Sequence, residues 1–246
     1  MYFILNELNM KNDIIAIICP DIHGRKFWEK ASEEYDGKIP FIFLGDYFDP
    51  YPDENISIED CKLNFLKIWE FKQKWGDNVI LLLGNHDLSY YDKKFKTCRY
   101  SYEISEWYNK FLHENWEQFK FSHSIDNDNI KYMFSHAGIN PIWLFQNNFE
   151  EIMDSDYINS LFISSPNSFK DMTYYRGGYD RAGSPIWADI REFTDKTIKF
   201  NDENLKQIVG HTQLIKDKFE TNNVVCIDSR QTFVLTKNNE IKTYEK

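Results

Sequence analysis

A chain of 246 residues with 42% apolar and 28% charged side chains, among them 20 Phe, 15 Tyr and 7 Trp, carries the large apolar surface of a folded core and excludes disorder. Its 29 basic and 39 acidic residues leave a net charge of −10, which repels polyphosphate backbones and excludes a broad basic footprint for DNA or RNA. Four scattered cysteines, Cys19, Cys61, Cys98 and Cys226, form no C-x-x-C pair and read as reduced thiols of a cytoplasmic protein.

The first twenty residues hold only short apolar runs broken by Asn, Glu, Lys and Asp, which fits neither a signal peptide nor a membrane span. Ile14 to Cys19, Ile39 to Leu44 and Val79 to Leu83 are nearly continuous apolar runs of strand length, as expected of strands covered on both faces. Between the last two, Ser57 and Asp60 form an N-terminal capping pair. Ile58, Cys61, Phe65, Ile68, Trp69 and Trp75 then recur at helical spacing up to Gly76. A second helical pattern covers Ile104 to Trp116, and the Asp126-Asn127-Asp128-Asn129 cluster turns the chain into a strand from Ile130 to Phe134. Residues 141–165 read as helical and 166–205 as irregular. Strands return at Gln207 to Val209, Val224 to Ile227 and Thr232 to Leu235. The alternation implies an α/β layered protein, and with no linker or repeat in view the expectation is one domain over residues 1–246.

One event recurs along this series: an apolar run ends and a metal-competent side chain follows within a few residues. Cys19 leads to Asp21 and His23, Leu44 to Asp46, Leu83 to Asn85 and His86, Phe134 to His136, and Val209 to His211. Loops at the carboxyl ends of strands are where layered α/β proteins hold ligands. Carboxylate, imidazole and amide oxygen suit a pair of divalent ions. Such a pair clamps a phosphoryl group and lowers the pKa of a water enough to supply hydroxide at neutral pH.

Read in order, DIHG, GDYFD, GNHD, SHAG and GHT resemble the calcineurin-like metallophosphoesterase superfamily, spanning Asp21 to Thr212. Any one of these strings is weak alone; five in order, each at a strand end, are not. The resemblance implies a four-layer α/β fold, a central β-sandwich of mixed sheets flanked by helices. It assigns Asp21 and His23 to one metal, Asp46 to a bridging position, and Asn85, His136 and His211 to a second metal. His86 matches the family's leaving-group acid and Asp49 the carboxylate that orients it and keeps it protonated. Two divalent ions are implied, Mn²⁺ first, with Fe, Zn, Co or Ni accepted by the same mixed shell.

Gly210-His211-Thr212-Gln213 lacks the second histidine of the GHxH motif found in many phosphodiesterases of the superfamily. The pattern is nearer the serine/threonine protein phosphatase and diadenosine-tetraphosphatase branch, whose usual Arg-Gly after GDxxD is replaced here by Pro50-Tyr51. The phosphate-clamping arginine must then come from elsewhere. Arg191 is the first candidate, with Arg25, Arg176 and Arg181 behind it. Tyr47, Tyr51, Tyr174, Tyr175 and Tyr179 could stack a base or aryl group, although core packing is the commoner use of such rings. His113 and His123, in helical and polar settings, read as locally satisfied residues. The expected partner is a phosphorylated substrate, whether phosphoprotein, nucleotide or small phosphoester, with no stable nucleic-acid or membrane association. Two other classes compete: a nuclease or phosphodiesterase of the same fold, disfavoured by the net charge and Gln213, and a non-catalytic scaffold, disfavoured because every ligand position is filled.

Overall fold

The structure is a computed structural model that describes residues 13–195, 200–221 and 223–244. Residues 1–12 of the N-terminal stretch read as neither leader nor span lie outside the described residues. No described helix is long and apolar enough to cross a membrane.

Two mixed sheets stack face to face. The first holds six strands in the order β11-β10-β1-β2-β3-β4: β1 (Ile14–Cys19), β2 (Phe41–Phe43), β3 (Val79–Leu82), β4 (Phe119–Lys120), β10 (Phe233–Thr236) and β11 (Ile241–Thr243). The second holds five in the order β5-β6-β7-β9-β8: β5 (Ser122–Asn127), β6 (Ile130–Ser135), β7 (Leu205–Val209), β8 (Phe219–Glu220) and β9 (Val224–Cys226). Strands β1 to β4 run parallel, as do β6, β7 and β9, while β10, β11, β5 and β8 add antiparallel edges.

The continuous apolar runs follow from this stacking, because side chains alternate between two covered faces. Ala16, Ile18, Ile42, Leu44, Ile80 and Leu82 meet Tyr132, Phe134, Ile208, Val225 and Ile227 of the other sheet. Their neighbours Ile17, Cys19, Phe41, Phe43, Val79 and Leu81 face the opposite way, into a cluster with the helices. Those helices are α1 (Glu29–Glu33), α2 (Ile58–Trp75), α3 (Asn85–Tyr91), α4 (Tyr102–Glu114), α5 (Pro141–Gln146) and α6 (Ser155–Ser164). The capping pair that starts α2 is present: the Ser57 hydroxyl accepts from Asp60 N, and the Asp60 carboxylate accepts from Ser57 N.

Several expectations need adjustment. The apolar stretch 141–165 is two helices, because Asn148 adopts φ 56° and Asp154 starts a new helix by accepting from Asp156 N and Tyr157 N. The Asp126–Asn129 cluster turns the chain as expected, with the addition that it closes a hairpin between β5 and β6, Asp128 at φ 53°. Strands β4, β5, β8 and β11, polar or only two or three residues long, carry no apolar run by which to find them.

Candidate metal centre

All five metal-competent loops leave the carboxyl ends of parallel strands, β1, β2 and β3 of the first sheet and β6 and β7 of the second, and so meet at one rim of the sandwich. Tight geometry turns the side chains inward. His23, Asp46, Asp49 and His211 all have positive φ, between 44° and 63°, a region costly for residues with a Cβ. A methyl group on Gly84 would collide with Asp46 and His136, and one on Gly210 with Asp21, so both positions need glycine for close approach.

Two clusters of donor atoms result, each with its atoms within 4.8 Å of one another. One joins Asp21, Asp46, His136 and His211; the other joins His23, Asp46 and His86. Asp46 belongs to both. Its Oδ1 accepts from His86 N at 2.9 Å, which leaves Oδ2 between His23 Nε2 at 3.6 Å and His136 Nε2 at 3.5 Å. Backbone carbonyls fix two tautomers: His23 Nδ1 donates to Phe48 O at 2.6 Å and His136 Nδ1 to Leu44 O at 3.0 Å, so each Nε2 offers its lone pair inward. His136 Nε2 then faces Asn85 Oδ1 and His211 Nδ1, each at 3.0 Å. A lone pair aimed at a carboxylate and an amide oxygen is a donor set suited to a cation.

The electrostatics agree with that chemistry. Burial lowers His136, and lowers His23 and His211 well below the usual histidine range, so the imidazoles are neutral, the form in which a histidine can bind a metal. Burial, with Asp21 beside it, pushes Asp46 well above the usual carboxylate range. His211 Nε2 and Asp228 Oδ1 are buried without a hydrogen-bond partner. Asp21 groups with His136 and His211, whereas the expected pairing was with His23; His23 falls in the other cluster, its Nε2 4.0 Å from Asp21 Oδ2.

Comparison with known proteins decides the family. The calcineurin-like phosphoesterase family model matches residues 16–235. The chain belongs to that family. Among solved structures, this phosphoesterase is similar to a protein serine/threonine phosphatase from Saccharomyces cerevisiae with similarity to human phosphatase PP5. The two are 15% identical, with 97% of this chain and 82% of that chain covered at a TM-score of 0.56. At that identity the likeness supports the fold. No curated protein sequence matches the chain. Family membership makes the protein a hydrolase of phosphoester bonds, and the clusters above are residue groups that could hold its metals.

Beside the phosphoesterase centre, His86 Nδ1 lies 2.6 Å from Asp49 Oδ2, and Asp49 Oδ1 accepts from the Tyr90 hydroxyl. The expectation that Asp49 keeps His86 protonated meets an opposing effect. Burial and then Arg99 push the imidazole down to about 3, while burial lifts Asp49 to about 7. Asp87, the last residue of GNHD, had been assigned no role. Its carboxylate accepts from Asp46 N at 2.7 Å, Gly84 N at 2.8 Å, Tyr47 N at 3.2 Å and Tyr108 Oη at 3.0 Å, tying the β2 and β3 loops together.

The arginines fall differently from expectation. Arg191 pairs with Asp189 at 2.7 Å, donates to Tyr175 O and covers the Tyr175 ring, with a side chain 55% exposed. Arg176 also pairs with Asp189, at 2.8 Å, and donates to Thr212 Oγ1 and His211 O, so it braces the loop that carries His211. Arg181 is exposed, as are the rings of Tyr174 and Tyr179, whereas Tyr47 is a core residue. Arg25 pairs with Glu54 at 2.8 Å and donates to Asp21 O. The guanidinium that reaches the centre is that of Arg99, whose Nη2 is 3.4 Å from His86 Nε2. Nothing local in the sequence distinguishes it. Asp228 was legible, since it follows β9 by two residues as Asp21 follows β1. His113 stacks on Tyr91 and His123 lies tilted beside Phe134, both outside the two donor clusters.

Proposed function

We propose that the protein is a dinuclear metal-dependent phosphatase, hydrolysing phosphate monoesters or anhydrides, with Asp21, His23, Asp46, Asn85, His136 and His211 as metal ligands and His86 as the leaving-group acid. The observation that carries this is Asp46, whose single free oxygen lies between two histidine nitrogens belonging to different donor clusters. Bound there, two divalent ions, Mn²⁺ first, supply an activated water and charge neutralisation on the phosphoryl group. We take the 246 residues as one catalytic unit of the cytoplasm.

The chain's own residues do the rest. His86 turns Nδ1 to Asp49, which leaves Nε2, 3.4 Å from Arg99 Nη2, as the atom available for proton transfer. An anionic phosphoryl group arriving opposite Nε2 favours the imidazolium and offsets the burial that depresses it. Tyr90 and the Asp49–Arg99 contact hold the carboxylate loop, and Asp87 fixes the backbone that aims Asp46. The buried, hydrogen-bonded frame presents this geometry before substrate arrives, which is where enzymatic positioning is effective. The test is p-nitrophenyl phosphate hydrolysis by native protein and Asp46→Asn, with metal content measured in parallel. Native protein should show saturable activation by Mn²⁺ with two ions bound, and the variant should lose more than about 100-fold in activity together with at least one ion. A native protein that binds two ions yet releases no phosphate would contradict the proposal.

A further inference from the structure

Ten described non-glycine residues have φ between 52° and 64°, or 44° for His23. Six of them are Asn or Asp, which tolerate that conformation through local hydrogen bonds. The other four are His23, His211, Arg99 and Arg230. Two are proposed metal ligands; of the two arginines, both at φ 64°, Arg99 reaches His86 at the centre and Arg230 has no part in it so far described. Strain of this kind persists where the surroundings hold a side chain in a required place.

Both arginines point to the same spot. The guanidinium carbon of Arg99 lies 3.9 Å from the centroid of the Tyr51 ring, that of Arg230 5.5 Å, and that of Arg25 5.3 Å. Tyr51 in turn packs edge-on against His23 at 5.4 Å, so the three cations stand one ring away from the metal ligands. Glu54 partly offsets them, pairing with Arg25 at 2.8 Å and Arg230 at 3.1 Å, and Asp228 lies within the field of the same two arginines. Arg230 also meets the amide oxygen of Gln213. Arg99 differs: its described polar partners are the Asp49 carbonyl, His86 Nε2 and Cys98 Sγ, all neutral acceptors. Three gathered guanidinium groups in a chain of net charge −10 are a local field of the opposite sign, suited to bidentate phosphate contacts.

Resting on the phosphatase reading above, we propose that Arg99, Arg25 and Arg230 form an anion subsite on the departing side of the centre. It takes a second phosphoryl group joined directly to the one hydrolysed, so the preferred substrate is a phosphoanhydride. The side is set by Arg99, which touches the nitrogen that protonates the leaving group. In the reaction the water oxygen bonds to the attacked phosphorus and the P–O bond of the bridge breaks. Its electron pair stays on the bridging oxygen, which takes the Nε2 proton, and the proton from water restores His86. The departing phosphate leaves into the arginines.

AMP and ADP differ only by the second phosphoryl group and make the comparison direct. With Mn²⁺ supplied, native protein should give a kcat/KM for ADP at least about tenfold above that for AMP. In Arg230→Gln the ADP-to-AMP ratio should fall at least about tenfold, the lower end of what one charge-assisted hydrogen bond contributes. Arg230→Lys should recover part of it. Circular dichroism and Mn²⁺ stoichiometry confirm that each variant is folded; should Arg230→Gln fail to fold, Arg99→Gln carries the same comparison. A native ratio near one, or a ratio that the substitutions leave unchanged, overturns the subsite while p-nitrophenyl phosphate hydrolysis still stands. Absence of metal-dependent hydrolysis of p-nitrophenyl phosphate overturns the underlying phosphatase reading, and the subsite with it.

Discussion

His86 sits where two demands conflict. As an acid it must carry a proton at Nε2, yet burial and the adjacent Arg99 hold it neutral, and Asp49, itself buried, offers a strong hydrogen bond to the far nitrogen. Proton donation then matters most when the leaving oxygen is a poor one, because a stable phenolate departs without help. His86→Asn is expected to lower kcat on an alkyl phosphate by about 10²–10⁴-fold and on p-nitrophenyl phosphate by far less. Equal losses across leaving groups would remove His86 from the acid role. At this scale the sequence singled out donor side chains that the fold gathers at one rim, and was poor on arginines. Asp21, Asp46 and His136 each follow an apolar run in a short string whose spacing is local. Arg99 and Arg230 are single residues in polar segments, 131 positions apart, and only the folded chain brings both to Tyr51.

Helix α2 shows how a structural element reaches the site without contributing a ligand. Phe65 packs against Tyr47 at 5.2 Å, Phe48 at 5.5 Å, and Trp107, Tyr108 and Phe111 of α4 at 6.2, 5.1 and 5.1 Å. Tyr47 and Phe48 are the middle of GDYFD, so one buried ring clamps the loop that carries Asp46 and Asp49. Phe65→Ala should lower stability by about 3–5 kcal/mol through the cavity it leaves, and Phe65→Leu by less. If the ring also positions the loop, kcat of the folded Phe65→Leu protein should fall while KM changes little. Thermal unfolding and steady-state kinetics separate the two effects. The α2 pattern was legible because apolar residues recur at helical spacing between a capping pair and a glycine. The short edge strands were not, since pairing along β5 or β11 depends on a neighbour that the local sequence does not contain.

Across the whole molecule the proposed ligands come from both layers of the sandwich. Asp21, His23, Asp46 and Asn85 leave the six-stranded sheet, while His136 and His211 leave the five-stranded one. Shared ions would therefore join the sheets at one rim, and at the same time neutralise buried carboxylates, of which Asp46 is raised first by burial and then by Asp21 beside it. Ligands that bind only the native state stabilise it by mass action, by about 2.7 kcal/mol at a concentration 100 times Kd. For a chain of this length each kcal/mol moves Tm by roughly 2–4 °C, so Mn²⁺ at that concentration should raise Tm by roughly 5–11 °C over chelated protein. Asp46→Asn, which removes the carboxylate common to both donor clusters, should flatten that response. His123→Gln, on β5 away from either cluster, should leave it intact. A Tm that ignores Mn²⁺ in the native protein would mean that the two layers are not joined through metal at this rim.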